Sequence, residues 1–350
     1  MKNVLIAALV AIALASCAKN EIIDEVQKYV ITFDDTFIDN ATKTAYDASY
    51  NNDNLSEFEV YGTITGVEAG EGTANIFNKE RVVKGNSLGQ GTEWSYAIGN
   101  TQYWIPGNKY NFRAVADGNI TGVSEVVAVE SDNYMATAIK VLDASAQKDI
   151  LIAEDLNVMY NVGDGAKTIE FTFSHIMAKA KFTIKNTITT DSGYSYKVSN
   201  IRLLNTIKNS VYTFDNNGAG VWSATATSER YTLGFGNAVV DGTISGAEAV
   251  NIGFNTSVES NYDRLLIPSN ERIYVLFDYL LLKDGVVIDT QVDHKVHTTS
   301  SYDLNPGHAY NFVIKMGNPG EPIKFSVEKV NGWDTDLNDN DVADDDIDIN

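Results

Sequence analysis

Arg272–Leu282, RIYVLFDYLLL, runs through Lys283-Asp284-Gly285 into Val286–His294, VVIDTQVDH. Two long runs rich in β-branched and aromatic residues, joined by an Asp-Gly turn, read as a β-hairpin. The same grammar recurs on both sides. Tyr29, Ile31 and Phe33 alternate with Val30, Thr32 and Asp34, a period of two with one apolar face. Further strands are predicted at Phe58–Tyr61, Asn111–Ala116, Val123–Val129, Ile150–Ala153, Thr168–Phe173, Ala180–Ile184, Tyr196–Leu204, Val211–Phe214, Ala309–Lys315 and Ile323–Val330. Asn305-Pro306-Gly307 is a turn, because proline presets φ and glycine accepts a positive one. No long helical period and no short-period repeat interrupts the pattern. The expectation is an all-β protein of two tandem β-sandwich domains, divided near the Gly163-Asp164-Gly165 turn, with bounds of 28–157 and 158–350.

Composition agrees. The 350 residues are 44% hydrophobic, with 18 Tyr, 14 Phe and 4 Trp, enough for real cores and against wholesale disorder. Lysine and arginine number 26 against 47 acids, a net charge of −21. A field of that sign repels phosphate backbones, so no nucleic-acid partner is expected. It also disfavours docking on anionic lipid through a basic patch, so any membrane attachment needs another device.

That device is read at the N-terminus. Met1-Lys2-Asn3 precedes an apolar run from Val4 to Leu14, then Ala15-Ser16-Cys17. As a helix the run spans about 16 Å, half a bilayer core, so it is a secretory signal and not a span. Leu14-Ala15-Ser16-Cys17 resembles the lipobox of bacterial lipoproteins, which makes residues 1–17 a signal peptide and Cys17 the acylated residue. The alternative is an ordinary signal peptide with a chance cysteine. Cys17 is the only cysteine in the chain, so no disulfide is available and packing alone must hold the fold. Residues 18–27 read as a polar tether leading to an outer-membrane anchor.

Catalytic signatures are absent: there is no Gly-x-Ser-x-Gly elbow, no His-Glu-x-x-His and no phosphate-binding glycine loop. Neither an enzyme nor a cofactor is expected. Asp293, His294 and His297 could gather a metal, but residues three apart on a strand point to opposite faces, so a solvated strand end is the alternative. His175 is expected to satisfy a hydrogen bond near the core. Asp334, Asp336, Asn338 and Asp345 partly match a calcium loop. Position six is Asp339 where the loop turn wants glycine, and an acidic solubilising tail is the competing reading. With 47 acids, chance carboxylate pairs are abundant and none is singled out for glycoside hydrolysis.

Six segments in order carry a resemblance: Thr32–Thr44 (TFDDTFIDNATKT), Trp104–Ala116 (WIPGNKYNFRAVA), Lys148–Asp155 (KDILIAED), Phe171–Ile184 (FTFSHIMAKAKFTI), Leu304–Lys315 (LNPGHAYNFVIK) and Ile323–Asp334 (IKFSVEKVNGWD). With the lipobox in front, the chain resembles the fimbrillins, two-domain lipoprotein pilins and related surface proteins of the Bacteroidales. The resemblance implies a pair of transthyretin-like β-sandwiches and a structural subunit of a fimbria (stalk, anchor or accessory). It implies partners that are other fimbrial subunits, joined by β-strand addition after proteolysis in the loop behind the first strand. Here the removable strand would be Lys28–Phe37, with Tyr29, Ile31 and Phe33 facing inward; the alternative is a permanent first strand. Processing in the best-known members follows an arginine, yet none occurs between Cys17 and Arg81, and Lys43 is the nearest basic alternative. The donor would be the C-terminus, where Ile347 and Ile349 alternate with aspartates, against the alternative of a solvated acidic tail. Host or bacterial surface ligands would be the fibre's targets. A second reading is a carbohydrate-binding surface lipoprotein in which Trp94, Tyr96, Tyr103 and Trp104 stack on sugar rings, with core packing as the alternative use of those aromatics.

Overall fold

The structure, a computed structural model, describes residues 28–38, 55–66, 72–91, 93–116, 124–128, 135–140, 149–214, 220–223, 230–235, 250–260 and 264–330. The protein is all-β: the described residues hold no α-helix and one short 3-10 turn, Ile98–Asn100.

The first half curls into a ring. Its eight-stranded sheet runs β1 (Thr32–Ile38), β10 (Thr168–His175), β9 (Leu151–Tyr160), β6 (Asn108–Ala116), β2 (Glu57–Gly66), β3 (Thr73–Lys84), β5 (Trp94–Ala97) and β4 (Gly89–Gln90). A further pairing of β1 with β5, Phe33 opposite Trp94, joins the ends and closes seven strands. Alternation places the rings inside: Phe33, Phe58, Trp94, Tyr96, Tyr110, Phe112, Phe171 and Phe173 are buried in one cluster. Side chains thus fill the interior, as a small closed sheet requires.

The division expected at 157/158 puts Thr168–His175 with the second half, but the strand completes the first ring. Ile169, Phe171 and Phe173 alternate into the first core, and β10 lies parallel to β1, Thr32 opposite Thr168 and Phe33 opposite Ile169. Alternation reports one buried face; it does not say which sheet receives it.

The second half is two sheets face to face. One runs β17 (Ser257–Glu259), β11 (Ala178–Asn186), β23 (Ala309–Met316), β24 (Lys324–Val330), with β18 (Arg264–Leu266) also on β11. The other runs β15 (Arg230–Gly234), β12 (Tyr194–Ile207), β20 (Tyr274–Lys283), β21 (Val286–His297), with β16 (Val250–Ile252) on β12. Phe182, Tyr310, Phe312 and Phe325 from one sheet meet Val198, Leu203, Val275 and Phe277 from the other in a single core. The parallel pair β11–β23 is buried on both faces, the condition under which parallel strands occur.

A four-stranded sheet then ties the halves: β14 (Gly220–Ser223), β13 (Asn209–Phe214), β8 (Met135–Lys140) and β7 (Ser124–Ala128). β8 comes from the first half and β13 from the second, with Val211 opposite Ala138. Beside it Tyr61, Val115, Ile150, Ile152, Ile176, Met177, Ile207, Tyr212, Leu265 and Ile267 form a third core. Among the described residues no helix is long and apolar enough to cross a membrane.

Candidate functional site

The first strand is seated deep in the first core. Ile31 and Phe33 are fully buried, and Tyr29 packs partly buried against the same core. Phe33 stacks on Phe171 at 5.8 Å with a 14° interplanar angle, and meets Phe77 at 5.6 Å and Tyr96 at 5.9 Å. The regular strand begins at Thr32. Residues 29–31 are held instead by a bridge between Val30 and Tyr103, with Ile31 N–H donating to the Gln102 carbonyl at 2.9 Å and Trp104 N–H to the Tyr29 carbonyl at 2.8 Å.

β1 therefore has neighbours on both sides. It lies in a slot, with β10 as the parallel wall and the 94–104 segment as the antiparallel wall. Tyr96 bolts the slot: its hydroxyl donates to the Ile31 carbonyl at 2.9 Å, and burial pushes its pKa up to about 12. A bulge between Asp34 and Phe37 interrupts the ladder with β10. Pairing with β10 is continuous over Thr32–Asp34, which includes the buried Phe33, and resumes at Phe37 beyond the bulge.

The remaining sequence expectations fall as follows. Cys17, Lys43, Ile347, Ile349, Asp334, Asp336, Asn338 and Asp345 lie outside the described residues. Of the proposed aromatic platform, Trp94, Tyr96 and Trp104 are buried, Trp104 lying against Tyr110 and Tyr160, and Tyr103 alone is exposed. That burial is a correction: three of the four rings fill the first core and have no face to offer a sugar. The alternation of Trp94 with Tyr96 already carried this signal, since one apolar face of a strand points to the core.

His294 is half-buried against Phe277 at 5.3 Å and Tyr279 at 5.4 Å, and burial lowers its pKa. His297 lies against Tyr274 at 5.5 Å, and its Nδ1 is 2.9 Å from the Thr298 carbonyl. Asp293 Oδ1 accepts from Arg202 Nη2 at 2.5 Å. The three groups have separate partners, and among the described residues no cluster of three metal-ligating side chains forms.

His175 has a buried partner, Asp149, with Nδ1 and Oδ2 2.7 Å apart at the end of the first ring. Across β6 and β9, Arg113 and Glu154 form a second buried pair at 2.5 Å on the ring's outer face. Sequence reasoning missed this second pair and the Tyr96 bolt; both depend on strands distant along the chain.

Comparisons agree with this architecture. The family model for fimbrillin-like proteins matches residues 42–333. The crystal structure of a fimbrial protein from Bacteroides vulgatus superposes with a TM-score of 0.58 at 16% identity, covering 79% of this chain and 92% of that one. A candidate cell-adhesion protein from Bacteroides uniformis gives 0.44 at 15% identity, covering 87% and 98%. No curated protein matches the chain.

Proposed function

The chain belongs to the fimbrillin-like family, a non-enzymatic class of fimbrial and adhesion-type surface proteins, and on that premise we propose that it is a structural subunit of a fimbria joined to its neighbours by β-strand addition. The observation that carries the reading is the seat of the first strand. Removing residues 28–37 would open a slot with unpaired backbone on two walls and vacate the sites of Ile31 and Phe33. Such a slot gains ladder hydrogen bonds and side-chain burial from any matching strand. The two side chains alone are worth about 1.5–3 kcal/mol each.

In this reading Cys17 carries the lipid that delivers the subunit to the outer membrane, cleavage occurs near Lys43, and Ile347 and Ile349 of a neighbour enter the slot. A subunit that keeps its first strand serves as the anchor. Mass spectrometry of the mature surface protein tests this. A new N-terminus shortly after Lys43 in assembled material is the expected result for a polymerising subunit. Lipidated Cys17 retained in fibre-bound protein identifies the anchor form. Protein that carries an intact first strand and never enters a fibre sinks the proposal.

A further inference from the structure

The pole of the first ring where the chain enters carries exposed apolar side chains at the mouth of the strand slot, outside the core. Tyr103, Ile105, Met159 and Val162 are 43%, 53%, 38% and 89% exposed. Pairing places them at the same end of the ring: Tyr103 bridges Val30, the Gly107 N–H donates to the Tyr160 carbonyl at 2.7 Å, and Lys109 lies opposite Met159. Three lysines flank the patch in a protein of net charge −21, and one of them, Lys167, also acts on the Asp155 carboxyl. Lys28 Nζ lies 5.9 Å over the Tyr103 ring, Lys167 Nζ donates to the Met159 carbonyl at 3.3 Å, and Lys109 flanks them. The one carboxylate in the adjoining turn, Asp164, accepts from the Asn161 N–H at 2.8 Å.

Apolar tips ringed by lysines suit a lipid interface: the tips enter the boundary region while ammonium groups reach the headgroups, and a tyrosine sits between the two. The occupant is set by the tether. From Cys17 to Lys28 there are eleven steps, at most about 38 Å fully extended, and they end on this patch. The strand directions place the second half at the other pole. β10 runs parallel to β1 and leaves the ring at His175 toward Ile176 and Met177, in the core shared with the second half.

We propose that this pole, through Tyr103, Ile105, Met159 and Val162, rests on the membrane to which the chain is anchored and so holds the second half pointing outward. The inference rests on the lipid attachment at Cys17 proposed above. The single cysteine makes it testable, since acylation consumes it and a new thiol is then unique. The acylated full-length protein carrying Val162→Cys, labelled with an environment-sensitive fluorophore, is reconstituted into phosphatidylethanolamine–phosphatidylglycerol vesicles bearing a headgroup nitroxide quencher. The control is Val286→Cys, also exposed (66%) but in the second half.

Quenching at position 162 at least about fivefold stronger than at 286 is expected, with Ile105→Asp abolishing the difference while flotation with the vesicles persists through the acyl chains. Equal quenching at the two positions in protein that still floats overturns the membrane-facing pole and leaves the anchor intact. Protein that does not float removes the Cys17 reading, and this inference with it. A blue shift at 162 that tracks protein concentration and ignores the quencher assigns the patch to a second copy, which also overturns the proposal.

Discussion

Five aromatic rings surround Phe33 at centroid distances from 5.6 to 6.4 Å: Phe58, Phe77, Tyr96, Phe112 and Phe171. Each belongs to a different strand or segment of the ring, so one side chain of β1 contacts most of the wall. Truncating it leaves a cavity whose lining is fixed by backbone ladders and relaxes little. Phe33→Ala should therefore cost about 3–5 kcal/mol, read as a lower midpoint in urea denaturation. Tyr96 offers a subtler handle. An unfolded tyrosine ionises near pH 10, whereas burial holds this phenol up to about 12. The folded state keeps a proton that the unfolded chain releases, so its contribution is whole below about pH 10 and is lost as pH rises toward 12. Tyr96→Phe lacks that proton and also the bond to the Ile31 carbonyl. At neutral pH the variant should be about 0.5–1.5 kcal/mol less stable. Melting temperatures measured from pH 9 to 12 should show the gap narrowing above pH 10. Tyr196, also raised to about 12, keeps some alkaline loss in both proteins.

Two glycines separate turn strain from collision. At the β20–β21 hairpin, Asp284 and Gly285 have φ of 48° and 78°, the mirror-image turn that an Asp-Gly pair favours. A Cβ on Gly285 would meet nothing within 4 Å, so Gly285→Ala bears only the left-handed penalty of about 1–2 kcal/mol. Gly91, between β4 and β5, has φ 106°, and its Cβ would fall 2.1 Å from the Trp94 carbonyl oxygen. Gly91→Ala should be the more damaging in thermal denaturation, displacing β5 from the slot wall. This contrast also marks what the sequence could and could not disclose. The Asp-Gly hairpin is a local signal and is read directly. The alternation of Tyr29, Ile31 and Phe33 gives the buried face, because period two is local as well. That β1 closes a ring between β10 and β5 is a fact about segments more than sixty residues away, for which no local pattern exists. The same limit explains Thr168–His175, whose alternation fits either sheet, and the aromatic quartet, where a ring's chemistry suits a sugar or a core and only burial decides. Edge exposure is equally non-local. Val286, Ile288 and Val292 stand exposed on β21, an outer strand whose register with β20 breaks twice, irregularities that discourage further pairing.

At the scale of the molecule, the two halves are coupled through a shared sheet and a shared core. The four-stranded sheet pairs β8 with β13 across the two halves, and the third core is shared between them: Tyr61, Val115 and Ile152 come from the ring's outer face, Ile207 and Leu265 from the second half. Trp222 fastens the junction through Nε1 donating to the Ile176 carbonyl at 2.8 Å, while its ring lies 5.1 Å from Tyr212. β6 is buried on both sides as a result, with Phe112 and Ala114 facing the first core and Arg113 and Val115 facing the junction. A shared core makes the unfolding of either half expose apolar surface of the other, and that coupling is what gives a single cooperative transition. Ile150 and Leu265 are both fully buried in the junction and in neither of the larger cores. The double variant Ile150→Ala with Leu265→Ala should lose about 2–5 kcal/mol per site. Its distinctive signature is calorimetric: one heat-absorption peak should split into two, because the halves keep their own cores while losing their common one. A single peak merely shifted downward would mean that the four-stranded sheet alone carries the coupling.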